Sequence, residues 1–417
     1  MSSYPRAPSA TSSASRPSTP PLSKTQIQTF LSSGLLVVPH LSSDELQDAL
    51  DGLDQTIRKY GVDPSTPSTL LETGHNLTEL SSTNGSGGVL DIFYPSWKMS
   101  IALNKRLFQM TSQLWSETYC YSGEEFEQLD EEDRWKWHPF GSFDPSHGYA
   151  YIDRIGFRLP TDLAEKIGQH QETRFQKMVH NAVSVSRKEE DTEERSGRKR
   201  RIRPIQRSLT PHLDCCPESY MSAEKKKKFR PIQCMVSLTD NLLPNTGGFE
   251  AVEGFHKKFD EWKNNRPPTL VTKKGKKQIL EMPAPCSGEY THIRPKEDSE
   301  VFSSIEHIPV RVGDAIFWDN RLPHANAYRH LGTKPRSVVY CSFLPDVEVN
   351  RVYVDKQLQD FLERRKPSDQ WIELPPPSLE EGVKNVDHQV GAVEEEEIKD
   401  ILEDDFKRKL IGLDSWQ

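Results

Sequence analysis

The stretch that decides the fold is SLTPHLDCCP, Ser208–Pro217, read together with a distant counterpart, GDAIFWDNRLPHANA, Gly313–Ala327. In the first, His212 and Asp214 stand two positions apart. On a strand, residues i and i+2 face the same way, so both side chains aim to one side and Leu213 to the other. In the second, the apolar run Ala315–Trp318 leads through a turn to His324. Two histidines and one carboxylate are the ligand set that holds one face of a ferrous ion and leaves the other open. Residues i and i+2 cannot close a facial set by themselves, so the third ligand has to come from a remote strand, and His324 is placed for it. Arg336 follows, at the head of KPRSVVYCSFLP, Lys334–Pro345. A lone charge opening an apolar strand is costly unless paired, and a carboxylate gripped by two parallel hydrogen bonds would satisfy it.

The fold reading works outward from these segments. Between Ile205 and Leu344 the sequence carries short strand candidates: the His-Leu-Asp segment, Pro231–Leu238, Gly248–Val252, Ile308–Val312, Ala315–Trp318 and Ser337–Phe343. Their brevity and the Gly and Pro turns between them predict a mainly β protein. Its core is a double-stranded β-helix (jelly roll, cupin-like) with flanking α-helices, not a parallel α/β sheet.

Residues 1–23, rich in Ser, Thr and Pro, read as a disordered tail. Residues 24–148 read as a helical amino-terminal part. There Ser42-Ser43-Asp44-Glu45 forms a capping box, Leu46, Ala49, Leu50, Leu53 and Ile57 follow at helical spacing, and Trp97–Tyr119 reads as one helix. Thr66–Gly88 reads as polar turns. Residues 149–354 are the jelly-roll core, interrupted by charged insertions near 188–203 and 264–304. Tyr149–Leu159 is a strand with Tyr151, Asp153, Ile155, Phe157 and Leu159 on one face. Residues 355–417 read as a helix and an acidic tail.

Composition narrows the function classes. Of 417 residues 34% are hydrophobic and the net charge is −8, so the chain makes no general case for nucleic-acid affinity. The six cysteines include no C-x2-C pair, which argues against a structural zinc site, and Cys215-Cys216 does not read as a disulfide framework. The first residues lack the apolar core of a signal peptide, and no apolar run is long enough to span a membrane. These features predict a cytoplasmic protein with reduced thiols. Arg198–Arg201 offers a nuclear-import alternative, and no peroxisomal address is present.

A His-x-Asp tripeptide is expected about once by chance in a chain with 13 histidines, so the ordered set carries the weight. With FLSSGLLVVPHLSSDELQDAL (Phe30–Leu50) and QCMVSLTDNLLPNTGGFEAVEGFHKKF (Gln233–Phe259) added to it, the sequence resembles the phytanoyl-CoA dioxygenase family of Fe(II)/2-oxoglutarate-dependent oxygenases over roughly residues 25–350. It departs from that family at Glu253-Gly254-Phe255-His256, where Pro-Gly-Ser-His is common, and at Asn326, where Ser or Gly is usual. The resemblance implies His212, Asp214 and His324 as iron ligands and Arg336 on the far carboxylate of 2-oxoglutarate. Asn326 and Gln233 would stand beside that co-substrate, with O2 as oxidant. It implies hydroxylation of an unactivated C–H bond of a small-molecule or acyl-CoA substrate, with release of succinate and CO2, by a protein expected to be a monomer without nucleic-acid or membrane partners.

Other residues carry weaker readings. Tyr151 and Arg154 could border the co-substrate pocket. Met235 reads equally as pocket lining and as core, and Trp318 reads as core. His256 belongs to a turn, and His147, His292, His307 and His330 belong to the surface. The runs Arg198–Arg203, Lys225–Lys228 and Lys273–Lys277 read as solvated loops, the second with an alternative role at the barrel mouth, where positive charge would suit a phosphate-bearing substrate. Two competing functions stay open. One is an AlkB-like demethylase or hydroxylase of nucleic acid or protein, although Arg329 and Arg336 miss that group's arginine spacing by one. The other is a metal-free jelly-roll binding module.

Overall fold

Apolar runs too short for helices and bounded by Gly, Pro and Asp become strands in the computed structural model. It describes residues 21–83, 85–119, 127, 129–170, 205–220, 222, 228–266, 270–273, 276–279, 289–367 and 395–416. The strands in chain order are β1 (Leu35–Pro39), β2 (Val89–Leu90), β3 (Gly148–Arg158), β4 (His212–Leu213), β5 (Ile232–Ser237), β6 (Phe249–Ala251), β7 (Leu270–Lys273), β8 (Lys276–Ile279), β9 (Thr291–His292), β10 (Glu306–His307), β11 (Asp314–Asp319), β12 (His324–Asn326) and β13 (Arg336–Pro345).

One antiparallel sheet runs β1-β11-β5-β13-β3-β2 and a second runs β10-β6-β12-β4-β9, while β7 and β8 form a separate hairpin. From β3 to β6, and again from β10 to β13, the chain alternates between the two sheets at each step. That alternation makes the jelly roll expected from the sequence.

The larger sheet is buried on both faces. Ala315 and Phe317 of β11, with Cys234 and Val236 of β5, join a core shared with Phe30, Leu53, Ile57, Leu107, Leu114 and Phe361 from the covering helices. The alternate residues Ile316, Trp318 and Met235 turn inward and meet Phe249, Ala251 and Ile308 of the smaller sheet. Double-sided burial explains why these strands read as continuous apolar runs. The capping box at Ser42–Glu45 forms as read.

Several expectations are corrected. The face assigned to β3 is broken by a bulge: Ile155 pairs with Val339 while Ile152 pairs with Cys341, so Asp153 and Arg154 of β3 together oppose Tyr340 of β13. As a result Tyr149 and Tyr151 face one cluster, and Ile155 and Phe157 face the helical core. Trp97–Tyr119 is two helices, Ser96–Ala102 and Lys105–Thr118, because Asn104 caps the second by accepting from the backbone of Arg106 and Leu107. Thr66–Gly88 is not all turns, since it contains the helix Pro67–Thr73 and a 3-10 segment, Gly74–Leu80.

The amino-terminal tail gives way to packed chain at Leu22, which is buried and held by Gln113 through both its backbone groups. The carboxy-terminal end is no solvated tail. Ile401, Leu410 and Ile411 enter the main core, and Trp416 stacks on Phe108 and donates to the Gly148 carbonyl. The insertion near 188–203, the run Arg198–Arg203 and most of the acidic stretch lie outside the described residues. No described helix is long and apolar enough to cross a membrane.

The turn from β11 to β12 is fixed by a fully buried network. The Arg321 guanidinium donates to both Asp319 oxygens at 2.9 Å, to the Trp135 carbonyl at 2.7 Å and to the Tyr119 hydroxyl, which in turn donates to Asp319. Gly34 stands at φ +71° beneath this turn. A Cβ there would lie 2.5 Å from Leu322 and 2.6 Å from His256, so only glycine permits the approach. Removing one member of a buried, hydrogen-bonded ion pair orphans the other charge. Arg321→Met is therefore expected to cost about 3–5 kcal/mol in urea unfolding, and Asp319→Leu/Arg321→Met less than the sum of its single changes. A single-variant loss indistinguishable from a surface substitution would remove this network from the account of the turn.

Candidate metal centre

His212 and His324 occupy directly opposed positions on β4 and β12, which brings their rings to 4.4 Å between centroids. Asp214 leaves the end of β4 and inserts its carboxylate between them. Oδ1 lies 3.4 Å from Nε2 of His212, and Oδ2 lies 3.7 Å from Nε2 of His324. One ligand-type atom from each of the three residues falls within 4.8 Å of the others. The structure thus brings together the three metal ligands expected from the sequence.

The arrangement suits a cation. Nδ1 of His212 lies 2.8 Å from the Thr210 carbonyl, and Nδ1 of His324 lies 3.0 Å from the Leu322 carbonyl. A carbonyl can only accept, so each Nδ1 carries the proton and each Nε2 turns a lone pair toward the common point. Fixing the tautomer through the far nitrogen is how proteins orient metal-ligating imidazoles. Oδ1 of Asp214 is buried with no hydrogen-bond donor among the described residues, which is expensive unless something positive fills the gap.

Burial acts to raise the Asp214 carboxyl. The nearness of His212 and His324 outweighs burial and holds the group well below the usual carboxylate range. Burial first, and then the neighbouring His212, push the His324 ring below its ordinary value against the pull of Asp214. A deprotonated carboxylate and a neutral imidazole are the ligating forms. The rings are held by stacking of His212 on Tyr290 and by contact of His324 with Phe249 and Trp318.

Two residues beyond His324, Asn326 accepts at 2.9 Å from the Arg336 guanidinium and donates at 3.3 Å toward the Tyr340 hydroxyl. Arg336 is buried. A second nitrogen of Arg336 contacts the Met235 sulfur at 3.5 Å, and its Nε has no partner. Among the described residues no carboxylate pairs with it. Arg158 lies close enough that its own guanidinium is pushed down to about 10, by burial first and by Arg336 next, while it donates to the carbonyls of Ala327 and Tyr328. Two buried guanidiniums in one corner call for an anion.

Other expected site residues fall elsewhere. Gln233 is buried, but its amide donates at 2.6 Å to Asn320, not to Arg336 or Asn326. Arg154 does not border the Arg336 corner. It is bonded to Asp91 at 2.6 Å and to Ser82. Tyr151 lies under Arg230 instead. Trp318 is core, as read, and Met235 joins the same cluster while its sulfur meets Arg336. His256 is buried at the start of the helix Phe255–Asn265 rather than in a turn, lies edge-on to Trp135, and is pushed down to about 4 by burial, a structural residue. His330 is buried rather than superficial, its Nε2 2.9 Å from the Lys334 carbonyl.

Cys234 and Cys341 are free thiols. Cys216 is disulfide-bonded, against the reading of reduced thiols. The lysine run is not a solvated loop throughout. Lys225–Lys227 lie outside the described residues, whereas Lys228 is buried and paired with Glu289 at 2.9 Å.

A family model described as Gig2-like matches residues 213–401, and no curated protein matches the chain by sequence. Among solved structures, GlcNAc Inducible Gene 2 from Candida albicans superposes with a TM-score of 0.60 at 15% identity, covering 95% of this chain and 77% of that one. A hypothetical protein from Escherichia coli, crystallised at high pH, superposes with a TM-score of 0.54 at 13% identity over 94% of this chain and 82% of its own. At these identities the likeness is one of fold.

Since all three ligand atoms serve one point, His212→Ala or Asp214→Ala is expected to weaken Fe(II) binding at least as much as a supporting-residue change, for which about 10–100-fold is usual. Anaerobic calorimetry measures it, and wild-type affinity in either variant would dissolve the centre.

Proposed function

We propose that this chain is an Fe(II)- and 2-oxoglutarate-dependent dioxygenase that hydroxylates an unactivated C–H bond of a small-molecule or acyl substrate and releases succinate and CO2. The observation that carries the proposal is a facial pair of imidazoles and one carboxylate with a buried, carboxylate-free guanidinium close by. His212, Asp214 and His324 would hold the ferrous ion, and Arg336 the far carboxylate of 2-oxoglutarate. When bound, the ion and the co-substrate supply oxygen activation, with O2 as oxidant.

The chain's own residues have separable tasks. The carbonyls of Thr210 and Leu322 keep both rings in the ligating tautomer. Asn326 turns the Arg336 fork, and a guanidinium so oriented recognises a carboxylate by two parallel hydrogen bonds. Phe249, Trp318 and Met235 wall the space between the sheets and exclude water, which strengthens every charge interaction within it. The resemblance to the phytanoyl-CoA dioxygenase family points to the same ligand set, and the Gig2-like match leaves the reaction open.

Anaerobic addition of 2-oxoglutarate to the Fe(II) protein should produce the metal-to-ligand charge-transfer band, and substrate screening by succinate release with mass spectrometry should detect an added oxygen. Arg336→Met is expected to raise the 2-oxoglutarate requirement by about 10-fold or more, the cost of a lost charge-assisted bond, while leaving Fe(II) affinity near wild type. A wild-type protein with no band and no succinate would mark a binding module instead. Unchanged co-substrate affinity in the variant would move the carboxylate site.

A further inference from the structure

Arg230 is buried beside the centre, with 9% of its side chain exposed, yet none of its five N–H donors has a hydrogen-bond acceptor among the described residues. Its charged neighbours stand just out of reach. Asp214 Oδ2 lies at 3.8 Å and Asp153 Oδ2 at 3.7 Å, beyond hydrogen-bonding distance. Its guanidinium carbon sits over the Tyr151 ring, 4.3 Å from the centroid. The other buried cation of this corner differs in kind, since Lys228 is matched by Glu289 at 2.9 Å. Asp153 is also partly committed, accepting from the Arg154 backbone at 2.7 Å.

A guanidinium is seldom buried without bonds, because its desolvation is then uncompensated. With no hydrogen bond made among the described residues, the fork keeps donors for a carboxylate or phosphate, which a guanidinium grips through two bonds. Arg336 cannot fill this role and its own. It belongs to β13 and is bonded to Asn326 and Met235, whereas Arg230 precedes β5 and touches the carboxylate of the metal set. Two buried guanidiniums on different elements therefore stand near the metal set, and one co-substrate molecule would satisfy one of them.

We propose that Arg230 anchors the substrate through an anionic group, carboxylate or phosphate, carried a few bonds from the carbon that reacts. Contact between Arg230 and Asp214 sets that short span, because an anion on the guanidinium stands next to the ligands of the ion. A free acid or a phosphate monoester meets the requirement. An acyl thioester does not, since its carbonyl is neutral and its phosphates are remote. The identity of the reacting carbon rests on the oxygenase reading, whereas the anion site does not.

Full-length protein loaded anaerobically with Fe(II) and 2-oxoglutarate is titrated by calorimetry with inorganic phosphate and, separately, with propionate. Saturable binding of one of them is expected, and the one that binds identifies the anion. Arg230→Met is expected to weaken that binding about tenfold or more, and Arg230→Lys, which keeps the charge against Asp153 and Asp214 and so protects the fold, to weaken it less. The charge-transfer titration with 2-oxoglutarate should match wild type in both variants. No saturable binding by wild type, wild-type binding by Arg230→Met, or loss of the charge-transfer band in Arg230→Lys would each overturn the proposal, the last by making Arg230 a support for Asp214. If wild type shows no charge-transfer band but anion binding still depends on Arg230, the oxygenase reading falls and the anion site stands.

Discussion

Everything in the centre depends on the direct opposition of His212 and His324 across two very short strands. That single cross-strand pair brings residues from remote parts of the chain within one ring's width of each other. It also fixes where Asp214 must go, since the carboxylate leaves β4 on the same side as His212. A shift of one residue in this pairing would turn one imidazole to the opposite face of the sheet. The register is held from both sides, because His324 also pairs with Ala251 and His212 with His292. The turn before His324 is locked by Asp319, Arg321 and Tyr119, so the Leu322 carbonyl that orients the ring comes from a rigid support.

Charge is distributed around this pair with little redundancy. Arg336 on β13 and Arg230 before β5 are buried guanidiniums without a carboxylate hydrogen-bonded to them among the described residues. Four other cations are matched closely, Arg321 by Asp319, Arg154 by Asp91, Lys228 by Glu289 and Arg266 by Asp298, while Arg158 and Lys98 donate to backbone carbonyls. The contrast matters because a buried guanidinium keeps its donors available only where no hydrogen bond uses them. Arg230 has Asp153 and Asp214 within 3.8 Å but is hydrogen-bonded to neither, and Arg336 has no carboxylate partner among the described residues, so both can take a ligand.

Much of this was legible in the residues. The strand-turn rhythm from Ile205 onward predicts two short-stranded sheets, and the i, i+2 spacing of His212 and Asp214 predicts a shared direction. Arg336 was recognisable because a charge at the head of an apolar strand needs a reason. Arg230 carried a comparable signal, a lone arginine just before the apolar strand Ile232–Ser237, but it sits in the polar run that follows Lys225 and reads there as one more solvated cation. The β3 bulge has no sequence signature, so the alternation drawn through Asp153 put Tyr151 and Ile155 on one face. The end of the chain was misread for a similar reason. Few apolar residues separate its acidic ones, yet Ile401, Leu410 and Trp416 suffice to dock it once the core offers a surface.

By itself the sequence determined which elements form and which residue types could bind a cation, because periodicity, turn chemistry and the cost of stranded charge are local properties. The sequence also pointed to His324 as the partner of His212, and the tertiary structure supplied the reason that His256 and His330 do not compete. All three are buried histidines in the same half of the chain, and they differ in strand register and in the carbonyl that each ring nitrogen meets. Only the tertiary structure decided that Gln233 turns to Asn320 and that Arg230 faces the centre with its donors free. Those outcomes depend on distances between segments far apart in the chain, set by how two sheets pack and not by any spacing along one strand.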